Sequence, residues 1–271
     1  MSSGVHVRVV TRDCNAVATL SNITCAGTDC GKLGRFSCRN CGAVKYCSIQ
    51  CQKPAWPQHK KYCQAIQAQA RQTAELAAEL HACPLGWSAE PEDLFQTSVG
   101  HFWGMLHPRD YCRARRKLMS TLREYGHEGN SQLALKLALE HALDLIWLTR
   151  GDNQGLRHDV PHLQISLGRL REAYDFCKWW LNLDADYDPD DLELPYLDLR
   201  GEDVAEELDN LHIKEWGCTS LLLGVALVKL CVMMQIKQVE AFVLGLHDRV
   251  GADSPKLHSL SMAYAPWQTR G

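Results

Sequence analysis

The chain has 271 residues, 46% of them hydrophobic and 23% charged, and a formal net charge of -3. This composition is typical of globular proteins and argues against extensive disorder. A net charge so close to zero does not favour a dedicated nucleic-acid binder. The length allows one large domain or two smaller ones.

The N-terminal segment, residues 1–24, lacks the apolar run of a secretory signal peptide. Arg8 and Arg12 precede the first acidic residue, Asp13, so a weak mitochondrial presequence remains an alternative. We expect an intracellular protein of the cytoplasm or nucleus. Its thiols are then kept reduced, so clustered cysteines indicate metal ligands rather than disulfides.

A cluster of this kind follows directly. Seven of the 13 cysteines lie between residues 25 and 63, together with one histidine. Eight ligands fill two tetrahedral sites and leave no open position, so we expect two structural Zn²⁺ ions and no catalytic metal. Zinc would supply most of the folding energy of so short a segment. The predicted ligands are Cys25, Cys30, Cys38, Cys41, Cys47, Cys51, His59 and Cys63.

The spacing of these ligands predicts local structure. Cys38-x-x-Cys41 suits a tight knuckle in which both sulfurs point at one ion. Two further pairs are four residues apart, so each would share one face of a short helix: Cys47 with Cys51, and His59 with Cys63. Spacing alone permits the ligands to pair in sequence or to interleave.

The whole pattern, C-x4-C-x7-C-x2-C-x5-C-x3-C-x7-H-x3-C, resembles a MYND-type zinc finger, as do Tyr46-Cys47-Ser48 and His59-Lys60. The family commonly has two residues between its first two cysteines, where this chain has four. The resemblance implies interleaved sites, with residues 25, 30, 47 and 51 on one zinc and residues 38, 41, 59 and 63 on the other. It also implies a protein–protein interaction module that docks short, often proline-containing peptides.

Gln52 and Trp56 are the side chains that we expect to form such a docking surface. The alternative for Trp56 is that it fills the small core between the two short helices. With both ions bound the finger carries about +3, which is too little for strong binding of DNA through its phosphates. We therefore expect no direct nucleic-acid partner.

The rest of the chain has a mainly helical pattern. Residues 64–93 predict a helix and then a linker, and residues 94–271 predict an α-helical domain. Asn130 or Ser131 can begin one helix, and a second, opened by Asp159, ends at Gly168. The next helix follows at once, so the pair forms a hairpin reminiscent of tetratricopeptide-type helical repeats, although no fixed period is present.

Two stretches suggest other functions and are explained more simply. Residues 218–236 approach the length of a membrane span, but Lys229 lies inside them, so we expect a buried helix over about residues 216–245 and no membrane. The acidic stretch DADYDPDDLELP fails the calcium-loop pattern because Pro189 and Pro195 occupy its fixed Gly and Glu positions. We expect a solvated acidic loop there, whose charge can help to position a partner.

No catalytic motif is evident. The Asn-His-Ser-Cys type motif of SET methyltransferases is missing, as are Gly-rich phosphate loops, His-Glu-x-x-His and Gly-x-Ser-x-Gly. The sequence therefore predicts a non-enzymatic adaptor. One alternative is a transcriptional regulator that recruits corepressors, with residues 113–117 (RARRK) as a nuclear-localisation run or simply a solvated helix face. A less favoured alternative is a methyltransferase without recognisable SET motifs.

Overall fold

The structure is a computed structural model that describes residues 23–28, 30–83, 91–184, 186–207 and 219–250. Most of the predicted N-terminal segment and of the predicted linker at residues 84–93 lie outside this description, as do residues 208–218 and 251–271 of the predicted helical domain. Two short strands, β1 (Phe36–Ser37) and β2 (Lys45–Tyr46), pair antiparallel within the finger. The helices are α1 (Ile49–Leu80), α2 (Leu94–Thr97), α3 (Pro108–Glu128), α4 (Gln132–Leu148), α5 (Val160–Ser166), α6 (Leu170–Asn182) and α7 (Thr219–Val250). The prediction of a small finger followed by a mainly α-helical part is confirmed.

Helix α1 corrects the prediction of two short helices in the finger. It is a single helix of 32 residues that carries Cys51, His59 and Cys63, while Cys47 lies before its first turn. It contains Pro54 and Pro57, each of which removes one backbone hydrogen bond. Beyond Cys63 the sequence is rich in Ala, Gln, Glu and Leu and contains no helix breaker before residue 80. The helix therefore runs from the finger into the rest of the molecule without interruption.

The centre of the helical part is α4, whose buried side chains occur on most of its surface. Ser131 begins this helix as predicted, because its side chain accepts a hydrogen bond from the Ala134 N–H at 3.3 Å. Helix α3 packs along α4 on one side, and α1 packs against α3. The finger is therefore joined to a helical core rather than separated from it by a linker.

Helices α5 and α6 are joined at Gly168, which has a φ of +74°. This left-handed conformation suits glycine and lets the chain reverse after α5. Helix α6 packs on α5 and on the beginning of α7. The hairpin predicted around Gly168 is present, with α5 much shorter than α6.

The basic run at residues 113–117 is only in part the solvated face that the sequence suggested: Arg113 and Lys117 are exposed, but Arg115 is not. Arg115 is only 5% exposed and lies between α3 and α4. Its guanidinium forms an ion pair with Asp144 and donates hydrogen bonds to His141 Nδ1 at 3.1 Å and to the Tyr111 hydroxyl at 2.6 Å. A buried arginine needs such partners. Here Asp144 and His141 come from the neighbouring helix α4, and Tyr111 from α3 itself.

Helix α7 starts near its predicted position, but the prediction that its apolar run is buried is wrong beyond the first turns. Leu221, Val225 and Val228 are buried, and the Lys229 ammonium donates to the carbonyl oxygens of Val204 and Glu206. Helices α5 and α6 have 7 and 13 residues, too few to cover a helix of 32. Large apolar side chains that are exposed beyond this point are Leu230, Met233, Met234, Ile236, Val239, Phe242, Val243 and Leu244.

By length and composition, the stretch Thr219–Gly245 of α7 is sufficient to cross a membrane, with a mean hydropathy of 1.9. Only 22% of its most apolar window is buried. The hydrogen bonds of Lys229 hold the beginning of this stretch against the protein.

Candidate metal centre

The first ligand cluster is formed by Cys25, Cys30, Cys47 and Cys51. Cys25 and Cys30 lie on the loop before β1, Cys47 follows β2, and Cys51 lies in the first turn of α1. The Sγ atoms of Cys47 and Cys51 are 3.4 Å apart, and that of Cys30 lies 3.5 Å and 3.6 Å from them. Four thiols with sulfurs this close together form a compact set of soft ligands.

The second cluster is formed by Cys38, Cys41, His59 and Cys63. The first two lie in the turn between β1 and β2, and the last two are one turn apart on α1. The Sγ atoms of Cys38 and Cys63 are 3.7 Å apart, and the Cys41 Sγ is 3.6 Å from His59 Nε2. The ring therefore presents Nε2 to the cluster.

These distances fit zinc quantitatively. Zn–S bonds of about 2.3 Å in a tetrahedron place two sulfurs about 3.8 Å apart, and a sulfur and a nitrogen about 3.6 Å apart. The observed separations of 3.4–3.7 Å between sulfurs and 3.6 Å between sulfur and nitrogen agree with both values. In each group of four the ligand atoms all lie within 4.8 Å of one another. The two clusters fit two zinc ions in the interleaved arrangement that the resemblance implied.

Backbone groups around the first cluster support thiolate ligands. The Cys25 Sγ accepts hydrogen bonds from the N–H groups of Gly27 at 3.3 Å and Cys47 at 3.2 Å. Such bonds orient a ligating sulfur and stabilise its negative charge. At Gly27 a Cβ atom would lie 2.7 Å from the Cys51 Cβ, so no larger residue fits without displacing that ligand. Gly27 thus lets the loop between Cys25 and Cys30, which is longer than is common in the family, lie close to the cluster.

His59 is only 1% exposed, and burial lowers the pKa of its imidazole. A neutral imidazole is the form that ligates zinc. Its ring lies 5.0 Å from the ring of Tyr125, a buried residue of α3. The second cluster is therefore covered by the helical part of the molecule and shielded from water there.

Several further hydrogen bonds fasten the finger to the helical part. The Tyr62 hydroxyl lies 2.8 Å from the Glu124 carboxylate and 2.6 Å from that of Glu128. The Ser131 hydroxyl donates to the Ala43 carbonyl at 2.8 Å in a buried position. The Gln58 side chain donates to the Glu128 carbonyl at 2.9 Å. Sequence reasoning did not identify these contacts, because they join residues far apart in the chain with no shared motif.

The predicted docking residues lie on α1. Gln52 and Trp56 are one turn apart and therefore share a face of that helix. Trp56 is 38% exposed, so it does not fill a core, although its ring contacts His59 edge-on at 5.7 Å. Three large apolar residues of the finger are also exposed: Leu33 at 52%, Phe36 at 64% and Ile49 at 65%.

The sequence offered one other stretch for comparison with a metal-binding pattern, the acidic stretch after α6. Within the part of the chain that the structure describes, only the two finger clusters bring together three or more ligand side chains at metal-binding distances. The described residues of the acidic stretch after α6 form no such group.

Comparison with known proteins gives a match in the same region. The MYND finger family matches residues 23–63. The human histone-lysine N-methyltransferase SMYD3 is 45% identical over 38 residues, which are 14% of this chain and 9% of that protein. The MYND-type zinc finger protein samB of Emericella nidulans is 46% identical over 44 residues, 14% of this chain and 8% of that protein.

The similarity thus spans less than a tenth of the length of these curated relatives, and no solved structure matches the chain. Within that segment, the family match and the geometry of the two four-ligand clusters agree. Residues 23–63 of this chain are a MYND finger, a protein-interaction module with two zinc-binding clusters.

Proposed function

We propose that the chain is a zinc-binding, non-enzymatic adaptor of the cytoplasm or nucleus, whose finger docks peptide segments of partner proteins. MYND fingers mediate protein–protein interactions, and this one fits two ions that each have four protein ligands. Ions coordinated in this way have no position for water or substrate, so they serve structure rather than chemistry.

The observation that carries the proposal is the exposure of Trp56 on the side of the finger that does not pack against the helical part. The side of the finger near Tyr62 and the Ala43 carbonyl lies against α3 and the start of α4. Trp56 remains 38% exposed, and its contact with the buried His59 ring holds it in place. An anchored, partly exposed tryptophan is the side chain most enriched among binding hot spots.

The chemistry of this surface suits proline-containing peptides. A proline-rich segment is already extended and loses little entropy on binding, and aromatic side chains are the surfaces on which it docks. Gln52, one turn before Trp56, can donate and accept hydrogen bonds with the backbone of such a peptide. We therefore assign recognition to Gln52 and Trp56 together.

The proposal is tested by binding of proline-containing peptides to the full chain in zinc-containing buffer. A labelled peptide library is screened against the wild type, and the best binders are measured by fluorescence anisotropy. We expect Trp56→Ala to weaken binding by at least about tenfold, the loss typical of a hot-spot residue. Gln52→Ala should cause a smaller loss.

Trp147→Ala is the matched control, because Trp147 is a similarly exposed tryptophan outside the finger, at 42%. It should bind the same peptides with unchanged affinity. Equal binding by the wild type and the Trp56→Ala variant would contradict the assignment, provided that both retain two zinc ions. Equal losses in the two tryptophan variants would point to non-specific adsorption.

Two alternatives remain and are distinguished by other measurements. The similarity to a histone-lysine methyltransferase covers only the finger, and methyltransferase activity would require binding of S-adenosylmethionine, which a thermal-shift assay detects. A transcriptional regulator would need a nuclear-localisation signal. The buried Arg115 interrupts the one basic run proposed for that role, so this structure favours an adaptor.

A further inference from the structure

A cleft in the helical part, separate from the finger, lies between the end of α6 and the irregular segment that follows it. Its volume is about 470 Å³, within the range of roughly 300–1,000 Å³ typical of ligand sites. Its floor is mainly apolar and includes Trp179, Leu194 and Leu199. Three aspartates also line it: Asp184, Asp186 and Asp198.

The wall of this cleft that follows α6 is held in place although it contains neither helix nor strand. Arg150, which is 5% exposed, donates hydrogen bonds to the carbonyls of Asp191 at 3.0 Å and Leu194 at 2.8 Å, and to the Tyr187 hydroxyl at 2.7 Å. The Tyr196 hydroxyl lies 3.1 Å from each of the carbonyl oxygens of residues 146 and 150. The cleft is therefore preformed, which lowers the entropic cost of binding.

The charge around the cleft is strongly negative. Between residues 184 and 206 there are ten acidic side chains and one basic side chain, Arg200. Several of the acids have structural roles: Glu202 and Glu206 pair with Lys178, and Asp188, Asp191 and Asp203 accept hydrogen bonds from nearby backbone N–H groups.

Two of the three aspartates that line the cleft, Asp186 and Asp198, differ from these. Among the residues that the structure describes, neither Asp186 nor Asp198 has a hydrogen bond or an ion pair through its side chain. They present negative charge beside an apolar floor, and a cation that binds there would meet charges that the fold itself does not neutralise.

We propose that this cleft binds a basic peptide segment in which a lysine or arginine lies next to an apolar residue. The apolar side chain rests on the floor formed by Trp179 and Leu199, and the cationic group lies near Asp186 and Asp198. The aliphatic stem of lysine or arginine can also cover apolar surface while its charged end stays at the rim. Nucleic acids and anionic membranes are repelled by the same carboxylates, so a basic peptide is the occupant that the charge favours.

The test measures fluorescence anisotropy of a labelled peptide of alternating lysine and leucine with the full, zinc-loaded chain. We expect binding at low salt that the double variant D186N/D198N weakens about fivefold, the effect of losing two partly exposed ion pairs. The matched control E193Q/E207Q removes the same charge from exposed acids that do not line the cleft, and should change affinity less than twofold.

A second arm tests the apolar floor. Leu199→Ser should weaken binding of the lysine–leucine peptide, and a peptide of alternating lysine and serine should bind more weakly to the wild type. Circular dichroism verifies that each variant is folded. Equal losses in the two double variants, equal binding of the two peptides, or no binding of either would overturn the proposal. Trp56→Ala should leave this binding unchanged, so the result is independent of the function proposed for the finger.

Discussion

Replacing Tyr62 by phenylalanine tests whether the finger and the helical part stabilise each other. Tyr62 lies on α1, only one residue before the zinc ligand Cys63, and its hydroxyl is shared between the carboxylates of Glu124 and Glu128 on α3. These carboxylates raise the pKa of the phenol, the bond to Glu128 most of all, so the hydroxyl stays protonated and donates. The substitution removes this link and leaves the ring, which contacts Tyr125 at 5.1 Å, in place.

The expected loss follows from the type of bond that is removed. A hydrogen bond to a charged group contributes about 1.5–3 kcal/mol, and the partly exposed carboxylates can regain some solvation after the change. We therefore expect the free energy of unfolding to fall by about 2 kcal/mol. For a protein of this size such a loss lowers Tm by about 4–8 °C.

Two measurements are needed, on the full chain. Urea unfolding followed by far-ultraviolet circular dichroism reports the helical part, and competition with a chelating dye reports zinc affinity. Tyr62→Phe should lower both, because the docked finger favours the zinc-bound form. Tyr187→Phe, which removes a hydroxyl bonded to Arg150 far along the chain, should lower stability without changing zinc affinity. Unchanged unfolding and zinc affinity in Tyr62→Phe would refute the reasoning.

Three further predictions concern single sites. Gly27→Ala should lower the affinity for one of the two zinc ions in chelator titration, because its Cβ would lie 2.7 Å from the Cys51 Cβ. Burial, aided by Arg115, lowers the pKa of His141 from 6.5 to about 3, so the folded chain binds fewer protons than the unfolded chain between these values. The free energy of unfolding is therefore highest above pH 6.5 and falls by up to about 1.4 kcal/mol per pH unit as the pH is lowered. His141→Gln should reduce this dependence on pH, measured by urea unfolding at constant free zinc. Phe242→Ser should change the free energy of unfolding by less than about 0.5 kcal/mol, because the side chain is 66% exposed; a loss of several kcal/mol would show that this face is covered.

The continuous helix α1 affects how the finger works. A partner bound at Trp56, as proposed above, would contact the same helix that carries Cys63 and packs against α3. The finger is thus held by the helical part in a fixed position. Experiments on the finger should therefore use the full chain, since isolated residues 23–63 would lose the contacts of Tyr62 and Ser131.

The sequence by itself determined the metal ligands, because their spacing is a local property. Zinc tolerates few distances between ligands, so ligands three or four positions apart within a short segment restrict the possible geometry. Local signals also located the beginning of α4 at Ser131 and the turn at Gly168. The pairing of the ligands depended on family resemblance, since spacing allowed two arrangements.

Only the tertiary structure decided how these parts fit together. Tyr62 and Glu128 are separated by 66 residues, and Ser131 and Ala43 by 88, and no local pattern indicates that either pair is in contact. The burial of Arg115 depends in the same way on Asp144 of the next helix. Helix α7 shows most clearly what the sequence could not predict. Its hydrophobicity indicates that the helix favours burial, but the lengths and positions of α5 and α6 determine how much of α7 is buried.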